Sequence, residues 1–435
     1  MKTALTAGAA LLMTTAAATA GGIDRTGNPY SVLFEEGNYV QLSFNKVMPE
    51  VSGDYPRALG GGSTGNMSED YMTFGAAVKY QFNPQMSVAL FFSQPYGADA
   101  FYPQGAYTGL AAEWDANSIA AVLKYQVNPN ISVYGGARSV ESQANITIPN
   151  ALNAAGVARG LADGATAAAN GAREAAAGAQ AAVAAGDLAL AAELGAQAEA
   201  LQGQALELQA QAQAAAASAA NDNPTTGPFA YNASTDADRQ TSYIVGAAYE
   251  RPDIALRVAL TYETGYTHSF EATESLPGVG LNGTSQLDIE MPRAVTLDFQ
   301  SGVAADTLVF GSIRWSEWSV WEVRPAGYEA FSGDRVTGID NDVYTYRLGV
   351  GRRINDQLSV FGRVTYEAGN DDVASRLAPT DGTTSIGLGG SYTVNGAEIT
   401  AGVEYAWLGD ATDASGVEFT DNTALGVGIS VGYSF

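Results

Sequence analysis

Ala424-Leu425-Gly426-Val427-Gly428-Ile429-Ser430-Val431-Gly432-Tyr433-Ser434-Phe435 is the stretch that decides the fold. Successive side chains of an extended chain point to opposite faces. Leu425, Val427, Ile429, Val431, Tyr433 and Phe435 therefore share one face, and Ala424, Gly426, Gly428, Ser430, Gly432 and Ser434 the other. An apolar face backed by a small one is what a strand needs when lipid lies on one side and a lumen on the other. The aromatic Phe435 suits an interfacial girdle and resembles the signal by which outer-membrane barrels engage their assembly machinery.

Working backwards, the same alternation recurs at 396–408, 384–394, 358–366, 342–354, 307–321, 293–303, 254–270 and 238–250, and before them at 131–148, 115–127, 86–94, 71–82 and 38–47. With the C-terminal segment these make about fourteen strands, an even number, as in single-chain bacterial barrels. Every second connection is tight: Asn83-Pro84-Gln85, Asn128-Pro129-Asn130, Arg251-Pro252-Asp253, Ala305-Asp306, Asn355-Asp356-Gln357 and Asn395-Gly396 are all turn formers. Short turns at one end and long loops at the other predict periplasmic turns, extracellular loops and both termini in the periplasm. The expected fold class is all-β: a transmembrane antiparallel barrel spanning the outer membrane of a Gram-negative cell many times.

Residues 1–20 carry Lys2, an apolar run from Ala4 to Met13 and Ala18-Thr19-Ala20, the layout of a cleaved secretory signal. That leaves 21–37 as a short N-terminal segment and 38–435 as the barrel. Spanning a bilayer with a helix takes roughly 20 apolar residues, and no stretch is long and apolar enough. The sequence has no Cys, so backbone pairing and packing must hold an exported chain together. Fifty Gly, 22 Tyr and a mean hydropathy near zero fit neither a soluble enzyme nor a disordered polymer. A net charge of −25 argues against a nucleic-acid partner.

Residues 151–221 differ from the rest, being dominated by Ala and Gln, without aromatics, and with Leu at 188, 190, 194, 201, 206 and 208. They should be helical. Gly186 followed by Asp187 reads as a helix stop and a new N-cap, which predicts a helical hairpin in the third extracellular loop. A low-complexity spacer is the alternative reading.

A charge facing lipid at mid-membrane costs roughly 2–4 kcal/mol for Lys or Arg, so charged strand residues should face inward. Lys79, Lys124, Arg257, Arg314, Arg347 and Arg363 alternate with apolar neighbours, as do Glu263, Asp298, Glu367 and Glu404. The lumen is then mixed and slightly basic, which favours an amphiphile with an anionic head unless these groups pair with one another as a structural ladder. Catalysis finds little support. His268 is the only His, falls on the face assigned to lipid, and cannot meet the adjacent Ser269 across a strand. No phosphate loop, cofactor motif or metal-ligand cluster is present in the sequence, and Asp371-Asp372 reads as a solvated loop pair.

Ser312-Ile313-Arg314-Trp315-Ser316-Glu317-Trp318-Ser319-Val320 resembles a strand of the FadL-type transporters of long-chain fatty acids and other hydrophobic compounds, in which two Trp flank a small and an acidic residue. Met291-Pro292-Arg293-Ala294-Val295, Tyr346 to Gly351 and Gly362 to Glu367 support the likeness in order and spacing. The resemblance implies a monomeric barrel plugged by an N-terminal hatch and kinked inward in its third strand, so that the wall opens sideways to outer-membrane lipid. The kink maps onto Gln94-Pro95-Tyr96-Gly97, just after Phe91 and Phe92, where Pro lacks a ladder donor and Gly permits a bend. The family's Asn-Pro-Ala motif reads Asn28-Pro29-Tyr30 here, in a hatch shorter than the family's, and Val32, Leu33 and Phe34 are placed to contact a ligand. Passive uptake without a cofactor follows. Arg314 and Arg138 are expected to orient a carboxylate, with Arg257 and Arg347 as further candidates and Phe91 and Phe92 as apolar contacts. A diffusion porin for small polar solutes, or an adhesin using the helical insert, are the competing readings.

Overall fold

The computed structural model describes residues 23–25, 29–220, 223, 225–370 and 372–435, so the expected signal segment 1–20, Asn28 and Asp371 lie outside the described residues. Fourteen wall strands follow in chain order. They are β1 (Tyr39–Glu50), β2 (Tyr71–Asn83), β3 (Met86–Ser93, resuming at Gly97–Phe101), β4 (Ala111–Asn128), β5 (Ile131–Ile148), β6 (Tyr231–Thr235 and Asp238–Arg251) and β7 (Leu256–Glu263 and Tyr266–Leu276). The others are β8 (Leu281–Met291 and Ala294–Ala304), β9 (Thr307–Ser316), β10 (Val343–Arg353), β11 (Leu358–Glu367), β12 (Thr383–Val394), β13 (Ala397–Leu408) and β14 (Thr423–Ser434). Each is antiparallel to its neighbours, and β14 pairs with β1 from Tyr39↔Ser434 to Glu50↔Thr423, which closes the barrel and removes its edges.

The tight connections hold themselves. Asn83, Asn128 and Asn355 each accept the backbone N–H two residues on, at 2.8, 2.9 and 2.9 Å, and Asn395-Gly396 takes φ 50° and 81°, the left-handed pair that a two-residue hairpin requires. Outward positions such as Leu42, Leu90, Ile119, Leu348, Leu388 and Ile429 are exposed and apolar, as a lipid-facing wall must be. Tyr243, Tyr262, Tyr344, Tyr366 and Trp407 ring its outer margin, while Tyr80, Phe82, Tyr125, Tyr249 and Tyr433 ring the periplasmic one.

Two of the expected strands end differently. The stretch 307–321 stops at Ser316, and Trp318 and Trp321 turn inward beyond it. The stretch 254–270 continues to Leu276 but changes face on the way: Arg257, Ala259, Thr261 and Glu263 are buried, then His268, Phe270, Ala272, Glu274 and Leu276. Two residues, Thr264-Gly265, separate consecutive inward positions instead of one. Pro292-Arg293 does the same on β8 and Asp236-Ala237 on β6, so three neighbouring strands invert parity at one level and the ladders resume beyond it. His268 consequently faces inward, fully buried, and not toward lipid.

The insert between β5 and β6 is a helical hairpin, α1 (Asn150–Ala184) and α2 (Leu188–Ser218), turning at Gly186 with φ 80°, where Asp187 caps the Leu190 N–H at 3.0 Å. A Cβ added to Gly178, Gly171 or Gly164 would stand 3.1, 3.3 and 3.5 Å from a methyl of Leu194, Leu201 and Leu208. Leucines seven residues apart thus sit over glycines seven apart, and the arm extends about 50 Å from the barrel at 1.5 Å per residue.

Candidate ligand-binding lumen

The lumen is plugged from the N-terminus. A 3-10 turn at Pro29–Phe34 lies inside the barrel, with Tyr30, Val32 and Leu33 buried against Phe91, Ala120, Val122, Tyr134 and Ile244. Tyr30 meets Phe91 edge-on at 5.5 Å and Phe34 meets Tyr134 at 5.9 Å, while Lys124 and Arg257 stand 4.1 and 4.6 Å over the Phe34 ring. Lys79 donates to the Glu35 and Gly37 carbonyls and ties down the chain as it leaves the turn. Below, a cavity of about 410 Å³ at the periplasmic mouth is lined by Glu35, Lys79, Gln81, Lys124, Gln126 and Glu250. Burial, with Glu398 beside it, pushes the Glu35 carboxyl up to about 7.

Above the turn, Glu263 gathers the charges. Its carboxylate accepts from Arg138 Nη1 at 2.8 Å, Arg314 Nη1 at 2.9 Å and Tyr30 Oη at 3.0 Å. Asp24 stands 3.9 Å from Arg314 and accepts from Trp318 Nε1 at 3.2 Å. Both arginines expected to hold a ligand carboxylate are therefore occupied by the protein's own acids. Elsewhere Lys124 pairs with Glu250 at 3.2 Å and Arg363 with Glu404. Arg257 and Arg347 form no ion pair among the described residues.

At Gln94-Pro95-Tyr96-Gly97 the strand does not simply end. It resumes at Gly97–Phe101 on β4, with Gly97↔Asp115, and on its other side pairs only with Met67–Glu69, the chain leading into β2, through Phe101 N–H to the Met67 carbonyl at 2.8 Å and a bridge at Ser68↔Ala100. The β2–β3 ladder stops at Ala76↔Phe92; beyond it the Phe74 N–H is taken by the Gln94 side chain at 2.9 Å, and no backbone pairing joins Tyr71–Gly75 to the kinked segment. Residues Ile23 to Arg25 lie along this gap. Arg25 N–H donates to the Pro95 carbonyl at 2.8 Å and Gly97 N–H to the Ile23 carbonyl at 2.9 Å. The Arg25 guanidinium lies 4.4 Å over the Tyr71 ring and pairs with Asp99. A Cβ on Gly97 would fall 2.3 Å from that guanidinium, which would have to shift to admit any larger residue. Phe91 faces the lumen, whereas Phe92 lies on the outer face beside Phe74 and is corrected as a lumen contact, since strand neighbours point apart.

Over the charged belt sits an aromatic cluster that the sequence reading missed. Tyr96 and Trp318 meet at 5.8 Å, Trp318 and Trp321 at 6.3 Å, Trp321 and Trp114 at 6.1 Å, and Trp114 and Phe270 at 5.7 Å. His268 stacks on Phe270 at 4.9 Å and gives its Nδ1 proton to Asp238 at 2.8 Å. Among the described residues no serine is bonded to His268, and Ser269 is exposed on the opposite face. Glu274, from the same extension, accepts from Tyr231 Oη at 2.8 Å and from the Gly327 and Tyr328 N–H groups at 2.8 and 3.2 Å, which fixes the short helix α3 (Ala326–Ser332) beside it.

These features define an outer-membrane β-barrel plugged from inside and unpaired in its wall at the third strand. No family model matches the chain, and no curated protein matches it in sequence. Among solved structures it is similar to a Pseudomonas aeruginosa FadL homologue (12% identity, 94% of this chain and 93% of that one, TM-score 0.62). It is also similar to the Pseudomonas putida toluene transporter TodX (12%, 96% of each chain, 0.57) and the Ralstonia pickettii toluene transporter TbuX (14%, 95% of each, 0.54). At these identities the likeness is one of fold: the chain has the FadL-type barrel.

Proposed function

We propose that this barrel carries hydrophobic small molecules, long-chain fatty acids or aromatic compounds, passively across the outer membrane. A ligand enters through the aromatic cluster beneath the outer loops, passes beside the hatch, and leaves sideways through the β2–β3 gap into lipid. The observation that carries this reading is the unpaired wall beside a plugged lumen: a closed ladder around an open lumen would suit small polar solutes instead. Burial of each methylene contributes about 0.8 kcal/mol, enough to draw an acyl chain or ring from water without an energy source.

The test is uptake of radiolabelled oleate and of toluene by cells lacking their own transporters. Wild-type protein is set beside the double variant Gln94→Val/Pro95→Val, which restores a ladder donor and strand-forming side chains at the kink. Uptake of either compound above vector level, lost about tenfold or more in the variant, is the expected result. Permeability to small sugars without hydrophobic uptake would overturn it in favour of a porin. Deleting residues 150–218 should leave uptake unchanged, as a helical arm serving adhesion would.

A further inference from the structure

Among the described residues, four buried polar atoms without a hydrogen-bond partner fall in the one aromatic cluster: Trp114 Nε1, Trp321 Nε1, Tyr266 Oη and His268 Nε2. The residues come from β4, the loop after β9 and the extension of β7. Trp114 contacts both Trp321 and His268 at 6.1 Å between ring centres, and His268 contacts Tyr266 at 5.2 Å. Trp114, Trp321 and His268 are more than nine-tenths buried. Buried donors are nearly always paired, so several orphans around one set of rings call for a partner from outside the chain. Indole N–H groups only donate, and a phenol can donate. With Nδ1 bonded to Asp238, His268 turns its second ring nitrogen, Nε2, into the cluster. The site therefore offers mainly donors, set among Phe270 and Trp318.

We propose that this cluster selects neutral hydrophobic molecules bearing an acceptor oxygen, such as aromatic ketones or esters, over plain hydrocarbons and over carboxylates. The inference rests on the transport reading above and narrows its substrate class. A hydrocarbon satisfies the rings but leaves every donor unpaired. A carboxylate meets Asp238 beside His268 and finds Arg138 and Arg314 already taken by Glu263. Sites built to hydrogen-bond a ligand discriminate strongly against an analogue that lacks the bonding atom.

Calorimetric titration of the purified full chain in micelles, corrected for partition into protein-free micelles, tests this with acetophenone, its hydrocarbon isostere α-methylstyrene, and benzoate. Acetophenone should bind roughly tenfold tighter than α-methylstyrene, as one to two net hydrogen bonds allow, and benzoate more weakly than acetophenone. Trp321→Phe and, independently, Tyr266→Phe keep an aromatic ring, remove one donor each, and should bring the ratio of the two isosteres down several-fold, the ratio being read within each variant so that any loss of ring contact cancels. Equal binding of the isosteres, an unchanged ratio in both folded variants, or tightest binding of benzoate would overturn the inference and leave hydrophobic transport standing. Binding of none of the three probes would overturn the inference, and binding of neither these nor oleate would overturn the transport reading as well.

Discussion

Replacing Glu263 by Gln keeps the shape of the lumen cluster and removes its central charge. Three donors converge on this carboxylate, two of them guanidinium groups at 2.8 and 2.9 Å and the third the phenol of Tyr30 at 3.0 Å, so that one side chain joins β5, β7, β9 and the hatch turn. Hydrogen bonds to charged groups contribute about 1.5–3 kcal/mol each, and breaking a buried pair while its partner stays charged costs about 3–5 kcal/mol. Asp24, 3.9 Å from Arg314, offsets a part, but Arg138 keeps only Ser242 Oγ at 3.1 Å. The expected loss is about 3–5 kcal/mol. Urea unfolding in lipid vesicles followed by tryptophan fluorescence measures it, provided the slope stays constant. Combined with Tyr30→Phe, the double variant should be less destabilised than the sum of the singles by about 1 kcal/mol, because Glu263→Gln weakens the bond from Tyr30 that Tyr30→Phe removes. A loosened hatch should also admit small sugars in a vesicle-swelling assay. A loss under about 1 kcal/mol, or effects of the two substitutions that simply add, would refute the view that Glu263 anchors the hatch.

The Glu35 carboxyl, raised from 4.5 to about 7 chiefly by burial near Glu398, Arg257, Lys79 and Glu36, binds more protons folded than unfolded across that interval. Hatch stability should therefore fall as pH rises from about 4.5 to 7 and level off above, which hydrogen exchange at Val32 to Phe34 would show and Glu35→Gln would abolish. A protection factor at Val32 to Phe34 that stays constant with pH in the wild type would dismiss the assignment. Deleting Gly265 takes the extra residue out of β7 alone and turns Phe270 and Glu274 outward, so thermal unfolding should report a loss of about 4 kcal/mol or more; a near-native transition would contradict the parity switch. Gly171→Leu places a branched side chain where even a Cβ stands 3.3 Å from Leu201 and should splay the helical arm, seen as faster proteolysis within 150–218, with the barrel's heat-resistant migration unchanged.

What the sequence revealed was whatever repeats with period two. The apolar faces, the inward charges of Lys79, Lys124, Arg257, Arg363 and Glu404, and the Asn-led turns each depend on a residue and its neighbours, and the structure agrees with them. His268 was misplaced because Thr264-Gly265 inserts a single residue into a run that otherwise continues to alternate, and a polar pair at that point looks like more strand. Arg138 and Arg314 were correctly set in the lumen, but nothing local says that Glu263 or Asp24 occupies them, since those partners lie 125 and 51 residues from Glu263. The hatch shows the same limit most plainly. Asp24 and Trp318 are 294 residues apart and bonded, while Arg25 and Ile23 on either side of Asp24 exchange backbone bonds with Pro95 and Gly97. The same three residues thus touch the lumen charges, the aromatic cluster and the edge of the wall gap. Displacing them must break bonds at all three places together, so the strength of the Asp24 contacts bears directly on how readily the gap is uncovered from within.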